Sequence, residues 1–421
     1  MNKDFLKKVM VVILGIFIFR LGTYLPVPFV DPHVLALYAQ QKAGTILDIF
    51  NTFSGGSIER FSILAVGIMP YISASIIFQM LGYFSAGIKS LKESGEKGQR
   101  KINLYTRYLT LFFAVIQSIA LTYHLSNQTV NGLSLVSNPD LSFFFISVTS
   151  LVFGTMFLLW LGEKLTEFGL GSGISVIIFA GIASGLPDIF FNIVTLVQSG
   201  SMNTLFSFGV LAFFIAFICF IVFVESSQRR IQLSTASQYN SDKGYLPLKV
   251  NIAGIIPVIF ASSVIVMPAT FVNFFGSYIN SEILENVNNM LSRGGILYFV
   301  FLSLLILFFS FFYSRLVFDP KKTAAKLKRS GAFLKGIRAG EPTELYLSDI
   351  ASRVTFIGAC YLIFISIVPE ILLFNFNVPF YLGGTSLLII VLVCLEWNKQ
   401  YELHQQSKVY SKLNNKLLDN F

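Results

Sequence analysis

The chain holds three histidines, His33, His124 and His404, and their spacing brings no two of them together. A metal site or a general base needs donors clustered within a few residues or on one helix face, and nothing of that kind surrounds these three. "GYFSAGIKS" (Gly82 to Ser90) comes close to a phosphate-binding loop, but Ile88 separates Gly87 from Lys89 and the segment follows an apolar run of span length. A phosphate loop needs glycine next to lysine after a strand. "GLGSGIS" (Gly169 to Ser175) opens another apolar run, where glycines serve close packing or flexibility. The sequence therefore carries no catalytic residue, no metal ligand and no cofactor site, and the chain is not an enzyme.

The acidic residues carry a second test. Ion-coupled transporters place ionisable groups near the bilayer midplane. Here Glu163, Glu225, Glu370 and Glu396 all fall at the ends of apolar runs, and Arg20 is the one charge well inside such a run. Cys219, Cys360 and Cys394 also lie inside apolar runs, which argues against an external disulfide framework and reads as packing.

The elements that carry these residues are set by solvent. Of the 421 residues, 54% are hydrophobic and 13% charged, about half the charge of a soluble domain. Crossing hydrocarbon takes about 20 apolar residues per helix, because unpaired backbone amides cannot face lipid. Runs of that kind fall near residues 9–25, 67–84, 104–124, 142–162, 172–191, 204–224, 251–272, 296–317, 353–373 and 379–397. The fold class is an all-α polytopic membrane protein with ten spans. The basic start and apolar run at the N-terminus imitate a secretory signal, but Arg20 interrupts the run and no small-residue cleavage site follows, so it reads as a retained first span.

Orientation follows from the basic residues. With the N-terminus in the cytoplasm, 27 of the 31 Lys and Arg fall on the cytoplasmic side, against Lys42, Arg60 and Arg293 outside. The net charge of +9 is thus mostly the positive-inside signal. Two cytoplasmic loops, about 225–250 and 318–352, carry more basic and turn-forming residues than orientation needs, and either could dock a large acidic partner.

"GIMPYISAS" (Gly67 to Ser75) and "GIIPVIFAS" (Gly254 to Ser262) agree at six of nine positions. The two open spans 2 and 7, which cross in opposite directions, so the chain reads as two inverted five-span halves, 1–203 and 204–421. Proline in the first helical turn breaks no hydrogen bond, so both copies read as helix starts. Before the first copy, residues 44–66 are too polar and too broken by Gly55-Gly56 to span lipid, and read as a re-entrant helix. A five-plus-five inverted repeat also suits a small-solute secondary transporter, which stands as the rival reading.

Six blocks decide between them: "FNTFSGGSIERFSILAVGIMPYISASIIFQML", "SGEKGQRKINLYTRYLTLFFAVIQSIAL", "GTMFLLWLGEKLTEFGLGSGISVIIFAGIASGLP", "YLPLKVNIAGIIPVIFASS", "KRSGAFLKGIRAGEPTE" and "VPFYLGGTSLLIIVLV". In this order they closely resemble the bacterial SecY family, the central subunits of the general protein-conducting channel. The resemblance implies a clamshell of two halves, a plug helix at about 44–66 and a lateral gate between spans 2 and 7. Its apolar pore ring maps onto Ile68, Ile72, Ile178, Ile259 and Ile389, and Ser73 and Gln117 are implied gate residues. Arg338, Lys335, Arg229 and Arg230 are implied to dock the SecA ATPase or the ribosome.

The further partners implied are the SecE and SecG small membrane subunits, precursor polypeptides bearing signal sequences, the lipid bilayer, SecDF and a YidC-like insertase. The implied site of action is the bacterial cytoplasmic (inner) membrane, with both termini cytoplasmic. Two departures stand out: the loop tip "TASQYNSDKGY" is less basic than the family pattern, and Phe168 and Ser172 replace Arg and Asn.

Overall fold

The structure, a computed structural model, describes residues 3–30, 34–35, 51, 54–126, 128–130, 133–136, 140–200, 203–235, 244–275, 295–375 and 383–418. Its elements in chain order are α1 (Lys3–Thr23), α2 (Met69–Phe84), α3 (Ala86–Glu93), α4 (Glu96–Ser126), β1 (Thr129–Val130), β2 (Leu133–Ser134), α5 (Leu141–Phe168), α6 (Gly173–Gln198), α7 (Thr204–Ser226), β3 (Gln228–Thr235), β4 (Tyr245–Lys249), α8 (Ile256–Phe275), α9 (Ile296–Val317), α10 (Pro320–Arg329), β5 (Ala332–Leu334), α11 (Glu341–Asn375) and α12 (Gly384–Leu418).

Each apolar run predicted to span has a helix at its place. Among the described residues, six helical stretches are long and apolar enough to cross a membrane, and α2 with α3, bent by 99° at Ser85, makes a seventh. This is an all-α polytopic membrane protein. α3, with Ile88 and Leu91 beside Lys89 and Lys92, has the mixed faces of a helix that lies at an interface.

The chain packs as two compact units, one of Met1–Ser199, Ile265–Arg293 and Leu392–Phe421, the other of Gly200–Val264 and Gly294–Val391. In the first, α4, α5 and the turns before α2 enclose Phe61, Ala65, Leu121, Leu125, Phe143 and Leu151. A Cβ on Gly154 would collide with the Ile63 carbonyl, so α5 can lie directly on those turns only because the residue is glycine. The described part of the re-entrant segment, residues 54–66, runs mostly as turns and is tied to the chain after α1, where Val27 N–H donates to Phe61 O at 2.9 Å and Ile63 N–H to Leu25 O at 3.0 Å. Most of 44–53, where its helix is expected, lies outside the described residues.

In the second unit α9 and α11 pack together and share a buried hydroxyl pair, Ser314 with Thr355 at 2.6 Å. Beside α11 stands a feature that the sequence reading takes for plain loop, a three-stranded sheet in the order β4-β3-β5. Gln228 pairs with Lys249 at one end of β3, and Leu233 pairs with Leu334 at the other. Period-two alternation sends Ile231, Leu248 and Leu334 inward onto Leu347, Ile350 and Val354 of α11. The three cysteines are a second correction: all are free and exposed on helix surfaces, and none packs inside the chain.

Candidate functional site

The repeated phrase folds the same way twice. Gly67 and Gly254 both take left-handed φ, 63° and 65°, and turn the chain into a helix that begins two residues later. Tyr71 and Ile72 N–H donate to Ile68 O at 3.1 and 3.2 Å, while Val258 and Ile259 N–H donate to Ile255 O at 3.0 and 3.2 Å. Pro70 and Pro257 each occupy the second helical position, where a missing N–H costs nothing. The match extends from letters to backbone.

This helix start places the apolar candidates. Ile68 caps α2, and Ile72 lies one turn on along the same face, both buried. Ile178 is buried on α6 in the same unit. In the second unit Ile259 is half-buried in the first turn of α8 and Ile389 is buried in α12. Ser73 and Gln117 are half-buried on α2 and α4, which pack against each other.

The basic candidates share one scaffold. Arg229 and Arg230 are exposed on β3, and Arg230 stacks over the Tyr245 ring of β4 at 4.8 Å. Lys335 and Arg338 are exposed in the turn after β5, where Thr343 Oγ1 donates to Arg338 O at 2.8 Å. Because β5 pairs with β3, loops nearly 100 residues apart present their cations from a single sheet.

The motifs set aside as chemistry have other work. Gly171 N–H donates to Gln400 Oε1 at 3.0 Å and Gly173 N–H to Thr166 Oγ1 at 2.8 Å, so these amides of the Gly-rich segment already have protein acceptors. His124 lies on α4, His404 stacks on Phe5 with ring centroids 5.8 Å apart, and His33 is outside the described residues. Glu163 forms a two-pronged ion pair with Arg107 at 2.9 and 2.6 Å. Arg20 donates to Gly55 O at 3.3 Å, and both its guanidinium and that of Arg60 lie over Tyr24, at 5.1 and 4.3 Å.

The sequence reading missed one buried polar group. Glu225, at the end of α7, is 6% exposed, and Asn251, just past β4, is 3% exposed. Asn251 Nδ2 donates to Glu225 Oε1 at 2.7 Å and to Gly254 O at 3.1 Å. The available signal was the place of Asn251, three residues before the second copy's glycine, where the first copy has Leu64.

Matching helix starts, a set of apolar isoleucines and a basic sheet on a polytopic helical chain fit a membrane channel of the protein-conducting class. The whole-chain comparisons agree. A structure described as "The structure of a protein conducting channel" superposes with a TM-score of 0.73 at 18% identity, covering 98% of this chain and 95% of that one. "Sec61 in the Canine ribosome-channel complex from the endoplasmic reticulum" gives 0.69 at 17% identity, covering 98% and 95%. The SecY family model matches residues 62–397. Protein translocase subunit SecY of Haemophilus influenzae is 45% identical over 416 residues, covering 97% of this chain and 94% of the relative. That of Escherichia coli strain K12 is 45% identical over 411 residues, covering 96% and 92%. The chain belongs to the SecY family, and the solute-transporter reading gives way to it.

Proposed function

We propose that this chain is the channel-forming subunit of a bacterial protein translocase. It passes unfolded secretory polypeptides across the cytoplasmic membrane and releases transmembrane segments sideways into lipid. The 45% identity to protein translocase SecY subunits over nearly the whole chain is the observation that carries this reading. Residues 1–203 and 204–421 form its two inverted halves, with both termini in the cytoplasm.

Ile68, Ile72, Ile178, Ile259 and Ile389 form the constriction between these halves. A narrow apolar ring sheds water, so it resists ions when empty and closes around a passing chain. Branched aliphatic side chains adapt to many residues and hold none. The segment about 44–66 plugs the outer side at rest. A signal sequence parts α2 from α8, past Ser73 and Gln117, because its apolar run gains by leaving water while flanking polar chain stays in the pore.

The sequence carries no nucleotide-binding motif, so in this reading the drive comes from outside. The sheet's Arg229, Arg230, Lys335 and Arg338 receive the SecA ATPase or a translating ribosome; one structural relative is described as a ribosome-channel complex. SecE and SecG complete the channel in the bilayer, and SecDF and a YidC-like insertase act beside it. A photo-crosslinker at Ile72, with a secretory precursor stalled in transit, tests the reading. An adduct that forms only during active export is expected, and its absence under active export overturns the path.

A further inference from the structure

A carboxylate at the C-terminal end of a helix meets the negative end of the helix dipole, and burial adds a desolvation cost. Glu225 bears both, so something must hold it there. Beside Lys249 and the Tyr361 hydroxyl of α11, Asn251 does so with one nitrogen. Its two hydrogens go to different elements, one to the carboxylate that ends α7 and one to the carbonyl of Gly254, two residues before α8 begins.

The surroundings bind the same point to the sheet. The β3–β4 ladder ends at the pair Gln228 and Lys249, and Val250 N–H reaches on to Ser227 O at 3.3 Å. A Cβ on Gly358 of α11 would stand 2.9 Å from the Val250 carbonyl, so that helix lies close against the strand's exit. Asn251 is the next residue.

The repeat supplies an internal comparison. α2 starts with the same left-handed glycine and the same two hydrogen bonds as α8, yet Leu64 stands where α8 has Asn251. Leucine has no side-chain donor, so this helix start forms without a polar clamp. The clamp on α8 therefore serves something other than making the helix start.

We propose that Glu225 and Asn251 are positioning residues that fix the start of α8 to the β3–β4–β5 sheet, so that a partner docking on the sheet's cations moves the helix bearing Ile259. The inference rests on the translocation reading above. It assigns the two residues no contact with a translocating polypeptide. Their effect passes through the Gly254 carbonyl to the first turn of α8.

The test uses the full chain in its native membrane complex, comparing N251L, which copies the first repeat, with E225Q, whose amide oxygen still accepts from Asn251. Hydrogen exchange at residues 255–260 needs no transport activity to be read. In N251L it should rise about tenfold, while exchange in β3 and β4 stays within twofold. Motor-driven export of a signal-bearing precursor should fall about tenfold with motor affinity within twofold, and E225Q should export within threefold of wild type. N251L that exchanges and exports like wild type overturns the proposal. So does an N251L that loses the sheet's protection along with that of α8, since the role would then be merely structural. A wild-type complex that exports nothing overturns the translocation reading instead, and leaves the exchange result to decide the clamp.

Discussion

Gly154 and Gly254 are both glycines that their surroundings require, for opposite reasons, and substitution separates them. At Gly254 an added Cβ meets open space, so Gly254→Ala carries only the cost of a left-handed backbone, about 1–2 kcal/mol. At Gly154 the Cβ meets the Ile63 carbonyl, which cannot rotate away, so Gly154→Ala forces α5 off the turns it covers. Thermal unfolding in lipid should show a clearly larger drop in Tm for G154A than for G254A. An equal or reversed order would contradict the close approach. Glu163→Gln should hardly register in the same assay, because the Arg107 and Glu163 side chains are 50% and 36% exposed and such pairs contribute about 0–1 kcal/mol. None of this was readable beforehand, since a glycine against a carbonyl and a glycine in a turn look alike in sequence.

At the scale of elements, helix positions were legible and the sheet was not. Hydrocarbon leaves a helix one solution, about 20 apolar residues, and that length marks every span. β3 and β4 do alternate, with Ile231 and Leu233, then Leu246 and Leu248, turned to one side. Short alternation inside a basic, turn-rich loop is a weak signal, and β5 is only three residues long. What makes them strands is α11, whose Leu347, Ile350 and Val354 supply the apolar surface they cover. Ile231→Asp puts a charge into that contact. It should expose 228–235, 244–249 and 332–338 to limited proteolysis while α9 and α11 stay protected; unchanged cleavage would mean the sheet does not depend on this packing.

At the scale of the molecule, the helix-start repeat was visible as letters, and Pro70 and Pro257 marked both copies as helix starts, as α2 and α8 are, while the left-handed turn at Gly67 and Gly254 came only with the structure. The five isoleucines were another matter. Buried isoleucine is ordinary in a membrane protein, and only the resemblance of whole blocks to a family picked these out. Replacing several of them with glycine should raise ion conductance through the resting complex in planar bilayers, and unchanged conductance would remove the gasket role. Arg338→Glu should abolish motor-driven export while the chain still folds, as read by the same limited proteolysis; normal export would clear that residue of a docking part.

The order of strands in the sheet also bears on how the chain is made. β3 pairs β4 after a short connection, but its other neighbour, β5, is roughly 100 residues further along. At about 5–20 residues per second, β5 follows β3 out of the synthesising ribosome by about 5–20 s. During that interval β3 has a bare edge, the kind of edge that invites pairing with another chain. The stretch that β5 will cover, Leu233 to Thr235, carries no charge of its own, so the charges nearest that edge are Arg229 and Arg230, further back along the same strand.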